Sequence, residues 1–391
     1  MMKEWITAVQ FVLLGITNSI IEKAIYQQKS RGIPIYGDNL RYFNKPWFFN
    51  TVSLASMISS LLLYIILRYI QPTKYKSIKS VSIHSYLLLF LPGIFDIFQH
   101  ITSSITVLFV GVSIEQMFRG GTIVITALIS KVRFKRTYSG YIWCGMLIIV
   151  MSLLLVGLAA ILNSKNEMNS NRVNTVSPGM TTLILFLKVL SLFGYSFKLV
   201  IEEEVVTKRN IHHILAVGLE GSWSTILSIC IFMPIFHNIR GEEGRGLHED
   251  TIDTFEMMKN NHTIIILLTS VFITFCFYNN VSMNLTGQVS AVTRLVIDCL
   301  RTFILWIIQL IIYYSFNASN KLHQFRFIGE PWKKYSYIQL LGFAMMILGI
   351  LIYHKTIKLP WFKYPQPEDE FTRLLENHNE GVIEYVNEEE E

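Results

Sequence analysis

The chain alternates between long apolar runs and short polar connections. A membrane-spanning helix needs about 20 mostly apolar residues. Ten stretches reach that length: 5–26, 47–70, 82–101, 104–130, 138–162, 180–204, 212–237, 262–284, 288–314 and 337–357. Their boundaries are set by polar residues, except between the third and fourth stretches, where no polar linker occurs. The pattern predicts an all-α membrane protein with about ten transmembrane helices.

Composition agrees with a membrane protein. Of the 391 residues, 51% are hydrophobic and 16% are charged, whereas soluble domains carry about 25% charged residues. The net charge of +6 could suggest a nucleic-acid partner. However, the basic residues lie in short loops beside apolar runs, where they orient helices in the membrane. We therefore expect a lipid bilayer around the chain and no bound nucleic acid.

Basic loops also predict the orientation. Lys and Arg cluster after spans two, four, six and ten, most densely at 131–136. Because cytosolic loops carry an excess of these residues, both termini are expected in the cytosol. The basic residues of 27–46 and 321–334 lie on the other side and disagree with this orientation.

Two N-glycosylation sequons fall on the predicted lumenal side. They begin at Asn261 and Asn317, and the hypothesis is that both carry glycans. The alternative is chance, since the three-residue pattern is common.

Short internal matches divide the chain into halves. Ser113–Arg119 opens span four and Ser290–Val296 opens span nine, while Tyr-Ser precedes Gly145 and Gly342 at equal spacing. Five spans per half would insert the second copy upside down, as in many secondary transporters. We expect a first five-helix repeat at 1–163, a linker at 164–179, an inverted second repeat at 180–357 and a cytosolic acidic tail at 358–391.

Charged and polar residues recur inside the apolar stretches. A charge at mid-bilayer costs about 2.5–3.5 kcal/mol on insertion scales, so it usually faces a partner or a cavity. Arg294, Asp298 and Arg301 share one helix face by their spacing. These groups are either structural ion pairs or the lining of a hydrated cavity. We favour a cavity between spans three, four, eight and nine. The candidate cavity residues are Asn18, Asp96, Gln116, Arg119, Glu220, Asn280, Thr293, Arg294, Asp298 and Arg301.

Several motifs resemble one known family along nearly the whole chain. They are Gly15–Asn18, Phe43–Pro46, Leu91–Asp96, Ser113–Gly120, Trp143–Gly145, Glu202-Glu203, Val217–Gly221, Ser290–Arg294 and Asp298–Arg301. The chain resembles the drug/metabolite transporter superfamily, and within it the F-type nucleotide-sugar-transporter-like solute carriers. The resemblance implies inverted five-helix repeats, alternating access, and Gln116, Arg119, Arg294 and Asp298 near a central cavity. The chloroquine-resistance-transporter-like branch ranks second, because residues 238–261 lack the cysteines typical of that branch.

The expected function is secondary-active transport of a small organic solute. There is no Walker phosphate-binding loop, so ATP would not drive it directly. The sequence shows no GxSxG motif and no metal-ligand spacing, so we expect no enzyme activity and no cofactor. Asp96, His100 or Glu220 is hypothesised to carry a proton. The alternatives are an amino acid, peptide or drug exporter of an acidic organelle, or a non-transporting membrane scaffold.

The acidic C-terminal segment contains one candidate address. Glu370, Leu374 and Leu375 fit an acidic dileucine signal read by cytosolic sorting adaptors. A chance leucine pair is the alternative. With the family resemblance, this predicts an endomembrane location in the lysosome, endosome or Golgi.

Overall fold

The structure is a computed structural model that describes residues 2–37, 39–73, 75, 81–109, 112–167, 178–241, 243, 248–318, 329–362 and 364. Within these ranges, the structure describes the backbone but not the side chains of residues 2, 104, 107–109, 112–120, 160–161, 163–167, 178–181 and 317–318. Gln116, Arg119 and Asn317 therefore lie outside the described side chains. Glu370, Leu374 and Leu375 lie outside the described residues altogether.

Most of the described residues are helical. The helices are α1 (Met2–Tyr26), α2 (Pro46–Ile70), α3 (Ile83–Leu88), α4 (Phe90–Phe109), α5 (Val112–Arg133), α6 (Gly140–Glu167), α7 (Pro178–Thr207), α8 (His213–Leu227), α9 (Met233–Asn238), α10 (Thr251–Asn260), α11 (His262–Gln288), α12 (Ala291–Ala318) and α13 (Ser336–Tyr353). Two antiparallel two-residue strands, β1 (Lys29–Ser30) and β2 (Arg41–Tyr42), flank a 3-10 turn at Pro34–Tyr36.

Nine helical segments within the described residues are long and apolar enough to cross a membrane. Helices α3 and α4 together form one of these segments, and helices α8 and α9 together form another. Helix α5, the remaining long one, lies partly outside the described side chains. Large apolar residues such as Leu62, Phe186 and Phe277 are exposed, as expected for surfaces that face lipid. The prediction of an all-α, multi-pass membrane protein is confirmed.

Two departures from regular helix have local causes. Pro234 lies in the first turn of α9, and its missing N–H and bulky ring disrupt the preceding helical ladder. The turn at Ser228–Phe232 is accordingly a wide π-helical turn. Helix α10 was not predicted from the sequence. The Asp250 side chain caps it by accepting a hydrogen bond from Ile252 N at 2.8 Å.

Helices from the two halves of the chain pack in pairs. Helix α2 packs on α8, α6 on α13, α1 on α11, and α4 on α7. Glycines permit two of these contacts. A Cβ at Gly218 would lie 2.6 Å from the backbone N of Leu61, and one at Gly145 would lie 2.9 Å from the carbonyl oxygen of Gly349. Small residues at such crossings let backbones approach closely, which is how membrane helices gain contact.

Gly145→Ala is expected to destabilise the protein by roughly 1–3 kcal/mol, since it overpacks the α6–α13 crossing. The new Cβ would meet backbone atoms of Gly349 and Tyr353, each at 2.9 Å. Scanning fluorimetry of purified protein should show a lower melting temperature. Gly121→Ala is the matched control. Its Cβ would lie 3.5 Å from Leu192 Cδ1, an ordinary contact, and alanine favours helix by about 0.5–1 kcal/mol. Equal melting temperatures for the two variants would contradict the close-crossing interpretation.

Candidate functional site: a buried charge cluster

Lys198 lies at the centre of a buried group of charges. Its Nζ lies 2.8 Å from Asp96 Oδ1 on α4, 3.1 Å from Glu220 Oε1 on α8 and 3.5 Å from Glu202 Oε1 one turn along α7. Lys198 is 6% exposed and Glu220 is fully buried. One ammonium group therefore joins three helices at depth, where an isolated charge would be costly.

Arg294 extends this cluster to α12. Its Nη1 donates to Glu202 Oε2 at 2.7 Å and to Thr286 Oγ1 at 2.9 Å. Glu202 thereby links the two cations. Together, Asp96, Lys198, Glu202, Glu220 and Arg294 form what we call the central cluster.

The central cluster borders a small cleft with a cavity volume of about 20 Å³, enough for about one water molecule. Its lining residues are Met57, Lys198, Glu202, Val217, Glu220, Asn279, Ser282, Met283 and Arg294. Among the described residues, neither Glu220 carboxylate oxygen nor Ser282 Oγ has a hydrogen-bond partner. The Lys198 ammonium is within ion-pair distance of Glu220 but outside hydrogen-bond geometry. Buried polar atoms without partners are uncommon and mark places where a further group fits.

The structure brings together three of the residues selected from sequence: Asp96, Glu220 and Arg294. Asp298 pairs with Arg301, with Oδ1 and Nε 2.9 Å apart. Arg301 Nη1 also donates to Tyr278 OH at 3.5 Å. This second pair lies along α12 beyond the central cluster.

The remaining selected residues lie elsewhere. Asn280 Nδ2 donates to Ser60 Oγ and to the Cys276 carbonyl, each at 2.7 Å. Thr293 Oγ1 is 3.1 Å from Tyr353 OH. Asn18 is buried on α1, and its amide has no hydrogen-bond partner among the described residues. None of these three contacts the central cluster through a described hydrogen bond.

The sequence predicts a cavity between spans three, four, eight and nine, which correspond to α3 with α4, α5, α11 and α12. The central cluster comes instead from α4, α7, α8 and α12. Lys198 and Glu202 of α7 were not selected as site residues. A signal existed, since Lys198 and Glu202 stand at i and i+4 inside an otherwise apolar run. An i, i+4 pair within a span costs energy unless further partners meet it, and here those partners are Asp96, Glu220 and Arg294.

A second ionic network lies where α5 and α7 end and α12 begins, at a face of the bundle here called the terminal face. Arg133 donates to both carboxylate oxygens of Glu204, at 2.8 and 2.6 Å. Arg136 pairs with Glu203 at 2.5 Å, and Glu203 also accepts from the Ala291 backbone N–H at the start of α12. The connection between α5 and α6 is thereby tied to the end of α7.

A third network lies at the opposite face, here called the loop face. Lys45 is buried and pairs with Glu243 and with Asp253, whose Oδ2 is 2.7 Å from Nζ. Asp253 also accepts from Arg41 at 2.8 Å and from the Ile33 N–H at 2.7 Å. The loop between α1 and α2 is therefore held against α10.

Asn261 of the first sequon lies beside this network. Its Oδ1 accepts from Thr263 N and caps α11, and its Nδ2 donates to the Lys29 carbonyl, both at 3.0 Å. The asparagine therefore has a structural role, and glycosylation at Asn261 stays a prediction.

Glu249 gives the loop face a pH dependence. Burial raises the pKa of Glu249 to about 7, against the hydrogen bonds that Trp47 N and Phe48 N donate to it. The folded state binds a proton more tightly than the unfolded chain, so this stabilisation is present at acidic pH and lost as pH rises through about 7. Between about pH 4.5 and 7, the free energy of unfolding of the wild type should fall by up to about 1.4 kcal/mol per pH unit more than that of Glu249→Gln. Parallel pH profiles for the two proteins would refute this assignment.

The arrangement defines a class: a multi-pass α-helical membrane protein with a charged cleft between its helices. The chain is also similar to curated proteins. Over 271 residues the chain is 28% identical to solute carrier family 35 member F6 of Mus musculus, covering 66% of each chain. The human protein of the same name is 27% identical over 242 residues, covering 61% of this chain and 58% of its own. An uncharacterized protein of Schizosaccharomyces pombe is 24% identical over 295 residues, covering 75% and 82%.

These relatives confirm the resemblance drawn from the motifs, because the named homologues are F-type members of solute carrier family 35. The match to the mouse protein spans about two thirds of that relative's length. No family model matches the chain. The relatives support a solute carrier rather than an enzyme.

Proposed function

We propose that this protein is a secondary-active transporter that moves a small organic solute by alternating access. The observation that carries the proposal is the central cluster. Charged residues from α7, α8 and α12 line one cleft within the membrane-spanning helices, and Asp96 of α4 lies 2.8 Å from the Lys198 ammonium. A purely structural bundle has cheaper contacts in serine, threonine and glycine, so charges around a cleft favour a path for a polar solute.

The packing pairs support two inverted repeats. Spans one to five are α1, α2, α3 with α4, α5 and α6, and spans six to ten are α7, α8 with α9, α11, α12 and α13. If each span of the first set corresponds in order to one of the second, a two-fold axis exchanges the α1–α11 pair with the α4–α7 pair. The same axis maps the α2–α8 pair and the α6–α13 pair onto themselves. All four pairs occur. A site where such repeats meet is typical of secondary transporters. The central cluster draws on both proposed repeats.

The two outer networks support alternating access. At the terminal face, Arg133 and Arg136 of the first proposed repeat bind Glu204 and Glu203 of the second. At the loop face, Lys45 of the first binds Asp253 of the second. The cleft between them has a cavity volume of about 20 Å³, which is room for about one water molecule and far less than an organic solute needs. We interpret this as a state closed at both faces, in which release of either network opens one side.

We place the protein in an endomembrane, with cytosolic termini and with adaptors recognising Glu370, Leu374 and Leu375. Replacing Leu374 and Leu375 with alanine should move a fluorescently tagged protein to another compartment. Unchanged location would remove the adaptors from the proposal.

Solute binding and flux test the transport proposal. Purified protein is first screened by thermal shift against nucleotide sugars, nucleotides, amino acids and peptides, because a ligand of the folded state raises apparent stability. Compounds that bind are then measured for uptake into proteoliposomes. Arg294→Gln should reduce uptake strongly, while Lys131→Gln, an exposed change on α5, should not. Folded protein that moves none of these solutes would favour the scaffold alternative, and flux of amino acids, peptides or drugs would favour the exporter alternative.

A further inference from the structure

The central cluster has more acidic than basic groups. Asp96, Glu202 and Glu220 face Lys198 and Arg294, so full ionisation would leave one net negative charge. An uncompensated charge at this depth is strongly unfavourable. The cluster therefore reaches neutrality most readily by binding one positive charge, and the smallest is a proton.

The contacts of the three carboxylates differ. Asp96 lies 2.8 Å from the Lys198 ammonium, and Glu202 accepts a hydrogen bond from Arg294 at 2.7 Å. Glu220 lies 3.1 Å from Lys198, an ammonium already shared with Asp96, and neither of its oxygens accepts a described hydrogen bond. Glu220 is thus the least compensated of the three.

Among the described residues, the charged groups that face Glu220 belong to the central cluster. Helix α4 presents Asp96, with the exposed His100 one turn on, helix α7 presents Lys198, Glu202 and the Tyr195 phenol, and helix α12 presents Arg294. Helices α2 and α11 border the cleft with neutral Met57, Asn279, Ser282 and Met283. The Ser282 hydroxyl, also without a described hydrogen-bond partner, lines the same cleft.

We propose that Glu220 binds a proton in this closed state and exchanges it during the transport cycle, which couples solute movement to a proton gradient. This inference rests on the proposed transport function. No covalent bond other than the carboxyl O–H forms or breaks. The proton enters from water on one side of the membrane and leaves to water on the other, while Lys198 and Arg294 remain charged.

Infrared spectroscopy tests the bound proton without any solute. The difference spectrum of wild type minus Glu220→Gln at neutral pH should contain the carbonyl stretch of a protonated carboxyl group. Glu256→Gln, at a half-exposed carboxylate on α10, is the matched control and should show no such band. Because glutamine resembles a neutral glutamic acid in size and charge, Glu220→Gln should fold as well as wild type. Absence of the band in the wild type, or strong destabilisation by Glu220→Gln, would overturn the bound proton.

Proton coupling is measured in proteoliposomes that contain a pH-sensitive dye, with a solute found in the thermal-shift screen. Wild type should move protons with the solute, and a gradient of one pH unit should support up to about tenfold accumulation per coupled proton. Glu220→Gln should give no dye response and Glu220→Asp should restore part of it, whereas Glu256→Gln, outside the central cluster, should respond like wild type. Wild-type flux that is indifferent to the gradient would overturn the coupling and leave the transporter proposal intact. Absence of any flux would overturn transport, while the infrared band would still report on the proton.

Discussion

Lys198→Met should abolish solute transport and destabilise the protein by about 3–5 kcal/mol, the range measured when one partner of a buried ion pair is removed. Methionine fills a similar volume and keeps the apolar stem, so the main loss is the charge. The substitution removes the ammonium group that lies 2.8 Å from Asp96. The Asp96 carboxyl group must then become protonated, or the structure around it must open to water. Size-exclusion profiles and melting temperatures of the purified variant measure the effect.

The control for Lys198→Met is Lys131→Met. Lys131 is exposed near the end of α5, and surface changes of this kind usually stay within about 0.5 kcal/mol.

A triple variant separates charge from packing. Adding Asp96→Asn and Glu220→Gln to Lys198→Met leaves the Glu202–Arg294 pair intact and removes the uncompensated groups. Since a buried ion pair can often be replaced by neutral groups without loss of stability, melting temperature should recover while transport stays absent. A triple variant as unstable as Lys198→Met would show that the lysine acts through packing.

Asp253→Ala should destabilise the loop face by an amount similar to Lys198→Met, about 3–5 kcal/mol. Asp253 is fully buried and accepts from Lys45, Arg41 and the Ile33 N–H. Burial works to raise the pKa of this carboxyl group, but the hydrogen bonds from Lys45 and Ile33 outweigh it and the pKa falls below its ordinary value. Its removal leaves the buried Lys45 ammonium with Glu243 as the remaining acidic ion-pair partner among the described residues.

Limited proteolysis of purified Asp253→Ala should cut the 27–45 loop faster than in wild type, and its melting temperature should fall. Glu256→Ala, on the same helix but half-exposed and paired with Lys259 at 3.7 Å, is the matched control. Equal cleavage rates in the two variants would show that the loop is held by other contacts.

The helical architecture followed from the sequence because the cost of exposing a backbone to lipid leaves few alternatives to long apolar helices. Asp96, Glu220 and Arg294 could be selected from the sequence because each places a charged group inside an apolar stretch, where a charge is costly. Their partners could not be predicted from spacing alone. Lys198 joins residues more than 100 positions apart in sequence, and only the packing of α4 on α7 brings it to Asp96. Helix α10 was missed because it is short and polar, and its Asp250 cap is its main local signal.

The α6–α13 crossing limits which parts of the molecule can move. Backbone atoms of Gly145 and Gly349 approach so closely that neither helix can slide past the other without a steric clash. No member of the central cluster comes from these two helices. This pair is therefore suited to act as a fixed pivot, and any rocking of the charged helices would be largest at the greatest distance from it.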